Sequence, residues 1–365
     1  MALSPRRVFK PHEPANRFIQ SLNRYVVACG PRGESKTSTA LFACLVYAKW
    51  QWQMADQDYD IIREKSGIWS VRLIKTFERI RSDFQNESDA EAFLFALKKK
   101  EPIRVATVRD TKTNLGATTV KGIKQWISEN EGDYRGKKSA PDVLYYPSNK
   151  PFMEMNFIGC DSTSDMNRFQ GMECAIVWFE EPAPAGDIST GVSDDVFGVV
   201  ATCLRQPGII RYRFQITMNP PDEEHWTIKK VKPLSHCEWI DFPKGSNTTL
   251  PAEYREENRR ALEAAGRPDL IDRLVEGKVG PVQLGPKVTP EFGTAHITNI
   301  RPVPNPEKPI HLLWDFGRTP VCIITQVNYH WVFYYTLMGE NVALEEHIER
   351  TVRPILRREF MGYDF

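Results

Sequence analysis

A chain of 365 residues with 41% hydrophobic content can bury large cores and has room for two or three domains, which excludes a disordered or fibrous polymer. Its 48 basic and 47 acidic residues leave a formal net charge of +1, which argues against a standing, high-affinity nucleic-acid surface and leaves transient contact open. No apolar run approaches the roughly 20 residues of a membrane span, the start MALSPRRVFKPHEP lacks a signal-peptide core, and the 7 scattered cysteines read as reduced thiols.

A short amphipathic entry (Phe18, Ile19, Leu22) precedes an apolar strand from Tyr25 to Cys29. Gly30-Pro31-Arg32-Gly33-Glu34-Ser35-Lys36-Thr37 follows and opens into an Ala- and Leu-rich helix from Lys36 to about Trp52. The pattern is G-x-x-x-x-G-K-[ST], in which backbone N–H groups wrap phosphates, the Lys reaches the β/γ-phosphates and the hydroxyl binds Mg²⁺. Ser35 stands where the pattern has Gly, so this loop is expected to carry some backbone strain. Taken alone, the segment is also compatible with a Gly-Pro turn between a strand and a helix.

Residues 53 to 100 are charged and aromatic, with helical spacing from Ile68 to Phe77 (Ile68, Val71, Ile74) and again from Asp89 to Lys99, and are expected to interrupt the strand alternation as an insertion or lid. Ile103 to Val108 is the next strand, ending at Arg109-Asp110-Thr111, and a helix is expected from about Thr119 to Ser128 on the spacing of Val120, Ile123 and Ile127. A strand from Met153 to Ile158 leads through polar residues to Arg168. Cys174 to Phe179 is then a continuous apolar run ending in Glu180-Glu181-Pro182. A central strand covered on both faces reads this way, and carboxylates at its C-terminal end project into the crevice where open α/β sheets bind ligands. Glu180 is suited to a hydrated Mg²⁺ and Glu181 to orienting or deprotonating a water, with the split between the two left open.

Val196 to Leu204 reads as a helix, and Phe214 to Met218 as a strand running into Asn219-Pro220-Pro221. Thr217 and Asn219 at that strand end are placed to bond a terminal phosphate or its water and to pass its loss to another subdomain. From Thr227 to about Ile300 the pattern loosens into a second subdomain, with helices at Ala252 to Ala265 and Leu270 to Leu274. Prolines from Arg301 to Pro309 read as an extended linker.

The order of these pieces, with His225-Trp226, Arg273 through Lys278 and Gly285 through Phe292 after them, resembles the large terminase subunit of tailed bacteriophages over nearly the whole chain. The resemblance implies an α/β P-loop NTPase with a mainly parallel central sheet (1–227, with its second subdomain at 228–300), then a linker and the start of a ribonuclease-H-like nuclease (310–365). It also implies an ATP- and Mg²⁺-dependent motor, in the host cytoplasm and off the membrane, that acts on double-stranded DNA as a homo-oligomeric ring. Its implied partners are a portal protein and a small terminase subunit. His311 to Thr325 resembles the first nuclease strand and its turn, Trp331 to Leu337 its hairpin partner, and Glu346 to Phe360 the following helix. Asp315 would bind nuclease Mg²⁺ or Mn²⁺. Two-metal hydrolysis needs several acids around ions roughly 3.5–4 Å apart, and the remaining acids are expected beyond Phe365, so the chain ending there should not cut DNA.

For ATP hydrolysis the candidates are Lys36 for the phosphates, Thr37 and Glu180 for Mg²⁺, Glu181 for the water, and Gly30, Pro31, Gly33, Glu34 and Ser35 for the cradle. Either Arg32, in cis, or Arg168, toward a neighbouring subunit, would supply the arginine for transition-state charge. A helicase-like translocase and a nucleotide-binding assembly module without turnover are the alternatives.

Overall fold

The computed structural model describes residues 8–160, 163–183, 191–280, 294–298, 300, 302–317, 319–339 and 342–364. The chain divides into two compact units, residues 1–286 and 287–365.

The first unit is built on eight strands: β1 (Tyr25–Cys29), β5 (Ile103–Arg109), β6 (Asp133–Lys137), β7 (Ala140–Tyr146), β8 (Met153–Gly159), β9 (Ile176–Glu180), β10 (Arg213–Met218) and β11 (Cys237–Asp241). They form one sheet in the order β11-β1-β10-β9-β5-β8-β7-β6. The six strands from β11 to β8 are parallel, and β7 and β6 close one edge antiparallel. Parallel strands are covered on both faces, and this is why β1 and β9 read as near-continuous apolar runs, with Val26, Val27, Ala28 and Ile176 to Phe179 all fully buried. Alternate residues feed two cores. Ile176 and Trp178 pack with Leu41 and Cys44 of the helix Lys36–Met54 on one side, and Val177 and Phe179 pack with Phe214 and Val196 on the other.

In the insertion, the helical spacing expected from Ile68 to Phe77 gives way to a small antiparallel sheet, β2 (Tyr59–Arg63), β3 (Trp69–Leu73) and β4 (Arg79–Phe84), and the helix expected from Asp89 to Lys99 is present as Glu87–Lys98. The Ile68/Val71/Ile74 spacing loses to the alternation Trp69, Val71, Leu73, which turns Val71 onto Ala90, Phe93 and Leu97 of that helix, while Ile74 stays exposed. The helix expected from Thr119 begins earlier and covers 112–124, with a π-helical middle at Leu115–Val120.

A division at residue 227 is not where the backbone parts. β11 pairs parallel with β1 from Tyr25↔Cys237 to Cys29↔Asp241, so the stretch after 227 supplies a strand of the central sheet. The helix Tyr254–Ala264 and the turns over 268–276 then return to the loop after β1, where Arg32 N donates to Leu274 O at 2.9 Å. The segment Gly285 to Phe292 lies outside the described residues.

The second unit holds β12 (Ile310–Asp315), β13 (Val321–Val327) and β14 (Trp331–Met338) as an antiparallel sheet in that order, with helical turns over 344–359 packing Val352 and Phe360 on Ile310, Cys322 and Ile324. Residues 302–309 are not a free tether. Gln326 Nε2 donates to the carbonyls of Asn305 and Lys308, both at 2.8 Å, and fastens the proline-rich stretch to β13.

Candidate active site

The loop between β1 and the helix Lys36–Met54 lies at the C-terminal end of the parallel sheet. Gly30 has no room for a side chain, since a Cβ there would lie 2.3 Å from the Phe242 carbonyl oxygen. Ser35 sits in the left-handed region at φ 57°, so the strain expected at this position is present, and its hydroxyl bonds His12 Nε2 at 3.1 Å. Helix dipole and free N–H groups at the start of Lys36–Met54 favour an anion in this loop.

Lys36 is 7% exposed and folds back on the loop. Its ammonium donates to the carbonyls of Gly30 at 2.8 Å and Pro31 at 2.7 Å and to Asn219 Oδ1 at 3.2 Å. Burial pushes its pKa down, and the carboxylates of Glu181, Glu180 and Glu34 oppose that shift.

Thr37 Oγ1 donates to Glu180 Oε1 at 2.5 Å, joining the first turn of that helix to the end of β9. Glu180 is 3% exposed. Its other oxygen accepts from Thr217 Oγ1 and, at 3.2 Å, from Trp178 Nε1, which also donates to Thr217 Oγ1 at 2.7 Å. The register explains the meeting, because β10 and β9 pair with Thr217 level with Glu180. Burial, and then the neighbouring Glu181 charge, push the Glu180 carboxyl upward, with Arg109 and the two threonine hydroxyls pulling the other way.

Glu181 follows in a left-handed conformation, φ 51°, that turns its side chain toward the end of β10, and its Oε2 accepts from Asn219 N at 3.2 Å and Asn219 Nδ2 at 3.0 Å. Asn219 therefore bridges Lys36 and Glu181. The site as a whole gathers Lys36, Thr37, Glu180, Glu181, Thr217 and Asn219 from three neighbouring strand ends.

Other candidates are placed elsewhere. Glu34 turns away from the cradle and is fully buried, accepting from Gly245 N at 3.0 Å, Asn247 N at 2.7 Å and Arg255 Nη2 at 2.6 Å. Arg32 is exposed. Arg168 donates to the Gly159 carbonyl at 2.9 Å and pairs with Asp165 at 3.0 Å, beyond β8 and two strands from Glu180. Asp315 is exposed at the end of β12, and no group of three or more His, Cys, Asp or Glu able to hold a metal occurs among the described residues. Trp178 and Arg109 belong to the site and were not singled out from sequence. The strand period offered a signal for Trp178, which lies two residues before Glu180 and so on its face.

No protein-family model matches the sequence, and no curated protein does. Solved structures do. The large terminase from a thermophilic bacteriophage matches with a TM-score of 0.51 at 12% identity, over 97% of this chain and 76% of that one. Its complexes with ADP and with ATP-γ-S each match with a TM-score of 0.50, at the same identity and coverage. No helix among the described residues is long and apolar enough to cross a membrane. A mainly parallel central sheet with this strand order, matched across almost the full chain, gives the protein the fold of bacteriophage large terminases.

Proposed function

We propose that this chain is the ATP-hydrolysing motor of a large terminase, which drives double-stranded DNA into a procapsid. The observation that carries the reading is the bond from Thr37 to Glu180, set beside the Asn219 bridge between Lys36 and Glu181. A phosphate loop, two acids and a coupling strand end share one crevice, as phosphoryl transfer needs positioned charge rather than covalent chemistry.

The residues fit Mg·ATP. Lys36 now holds carbonyls of its own loop and would exchange them for β/γ-phosphate oxygens. Thr37 and Glu180 would hold Mg²⁺, an ion that keeps most of its waters and needs few protein ligands. When bound, that ion neutralises charge on the phosphate oxygens. Glu181 would orient the attacking water and take its proton. Asn219 senses both the lysine and that acid, so a change at either reaches Pro220, whose carbonyl accepts from the buried Arg273 Nε at 2.7 Å.

DNA, a portal protein, a small terminase subunit and further copies in a ring are the partners this reading calls for. Arg32 or Arg168 would serve the transition state, and Asp315 would serve a nuclease metal. The second unit favours this over a helicase-like translocase, because it is a three-stranded antiparallel sheet with a helix and not a second motor half. Steady-state ATP hydrolysis with Mg²⁺, with and without DNA, against Lys36→Ala tests it. Turnover that the substitution abolishes supports the motor, and equal rates in both proteins overturn it.

A further inference from the structure

Arg109 ends β5, the strand next to β9. The two pair in parallel with Val105 level with Ile176 and Val108 level with Phe179, so one further step sets Arg109 level with Glu180. Residues level in parallel strands share a face. Thr217, Glu180 and Arg109 thus form a row across three adjacent strand ends, on the face covered by the helix Lys36–Met54.

The helix 112–124 holds the arginine in this row. Arg109 Nη1 donates to Thr118 Oγ1 at 2.5 Å and to Thr119 Oγ1 at 3.3 Å, and Thr118 is itself oriented by donating to the Asn114 carbonyl at 2.7 Å. The same helix passes Thr37, whose Cγ2 lies 3.9 Å from where a Cβ on Gly122 would sit. The guanidinium side chain is only 14% exposed, and its buried Nε makes an ion pair with Asp110 Oδ1 at 3.4 Å outside hydrogen-bond geometry. Guanidinium carries its charge at every working pH and offers five donors in a fixed fork. Here two neutral hydroxyls meet one corner of that fork and the Asp110 carboxylate pairs with its Nε, while Nη2 bonds none of these groups.

We propose that Arg109 is a cis-acting arginine for the terminal phosphate of ATP, held ready beside Glu180 by Thr118 and Thr119. The proposal rests on the ATPase reading and adds a residue to it. Lys36 meets the phosphates from the β1 side of the crevice and Arg109 from the β5 side. In hydrolysis the water oxygen bonds the γ-phosphorus, the bond from that phosphorus to ADP breaks with its electron pair leaving on ADP, and the water proton passes to Glu181. Arg109 exchanges no proton and stabilises charge on the γ-oxygens.

The test uses the whole chain and compares wild type, Arg109→Ala and Arg109→Lys. It measures ADP affinity, kcat and KM for Mg·ATP, and trapping of Mg·ADP by aluminium fluoride. Arginines in this role contribute about 10³-fold or more in rate, so Arg109→Ala is expected to lose about that much kcat, and aluminium fluoride trapping, with ADP affinity within about twofold of wild type. Arg109→Lys keeps the charge without the fork and is expected to fall about tenfold, which also serves if the alanine variant does not fold. Equal trapping and kcat in wild type and the alanine variant, or a lysine variant at the full wild-type rate, overturns the assignment of Arg109 alone. A wild type that binds no ADP overturns the ATPase reading and this assignment with it.

Discussion

Glu34 and Arg255, 221 residues apart, form an ion pair of 2.6 Å between the loop after β1 and the helix Tyr254–Ala264. Two backbone amides, of Gly245 and Asn247, complete the shell of the buried carboxylate, so a residue of the loop after β1 anchors the segment that follows β11. Removing one partner of a buried pair leaves an uncompensated charge. Arg255→Ala is expected to destabilise the first unit by about 3 kcal/mol, with the Glu34→Gln/Arg255→Ala double variant less affected than the sum. Urea denaturation of the four proteins of this cycle measures the coupling, and additive effects would remove the anchor.

Glu181 and Glu180 are expected to separate on substitution. Glu181→Gln should retain nucleotide binding and lower kcat by about 10²–10⁴-fold, the range for loss of a positioned base. Glu180→Gln should instead raise the Mg²⁺ concentration needed for half-maximal turnover, because Glu180 is the acid bonded to Thr37. Metal titrations of the two variants decide the roles, and an identical Mg²⁺ dependence would show that they are shared.

Thr217→Val removes the hydroxyl that Trp178 Nε1 and Glu180 both use. The buried indole N–H and the carboxyl oxygen keep their mutual bond of 3.2 Å, and each lost hydrogen bond is expected to cost about 0.5–1.5 kcal/mol. Thermal unfolding should show the loss, and the near-ultraviolet dichroism of the buried Trp178 should change with it. An unaltered melting temperature would mean that Thr217 does not hold the pair.

At Ser35 two effects oppose. Glycine would relieve a left-handed conformation that costs an L-residue about 1–2 kcal/mol but would lose the bond to His12. Ser35→Gly is therefore expected to be close to neutral in stability, whereas Ser35→Val, β-branched and without the hydroxyl, should be clearly destabilised. Denaturation midpoints of the two variants check this, and a valine variant as stable as wild type would contradict the strain.

His225 gives a pH dependence. Burial, then the Arg273 charge, lower its pKa from 6.5 to about 4, with Asp222 and Asp194 opposing. Its Nδ1 accepts from Thr227 N at 3.3 Å, which suits the neutral ring. The unfolded chain then binds the proton first, so the stability it contributes is complete above pH 6.5 and is lost as pH falls toward 4. His225→Gln should flatten the stability profile over that window, and an unchanged slope would assign the acid sensitivity elsewhere.

What the sequence by itself determined is the local grammar of the central sheet and the crevice at its strand ends. The strands β1 and β9 that end at the crevice announce themselves by continuous apolar runs, because a parallel strand is buried on both sides. The polar residues of the candidate site follow at the strand ends: Gly30 to Thr37, Glu180 and Glu181, Thr217 and Asn219. The Ala- and Leu-rich run of the helix Lys36–Met54 was equally plain. Tertiary structure decided the rest. The stretch 59–84 carried apolar residues compatible with both periods, and packing against Phe93 and Leu97 selected the strand. Nothing local marks Cys237–Asp241 as the neighbour of β1, or Glu34 as the partner of Arg255, since both depend on a chain return of more than 200 residues. Level strands set Arg109 beside Glu180, and helix 112–124 aims it. Motifs follow from short-range backbone and burial preferences that residues carry with them, whereas the charge partners inside the crevice follow from register, which exists only once the sheet has formed.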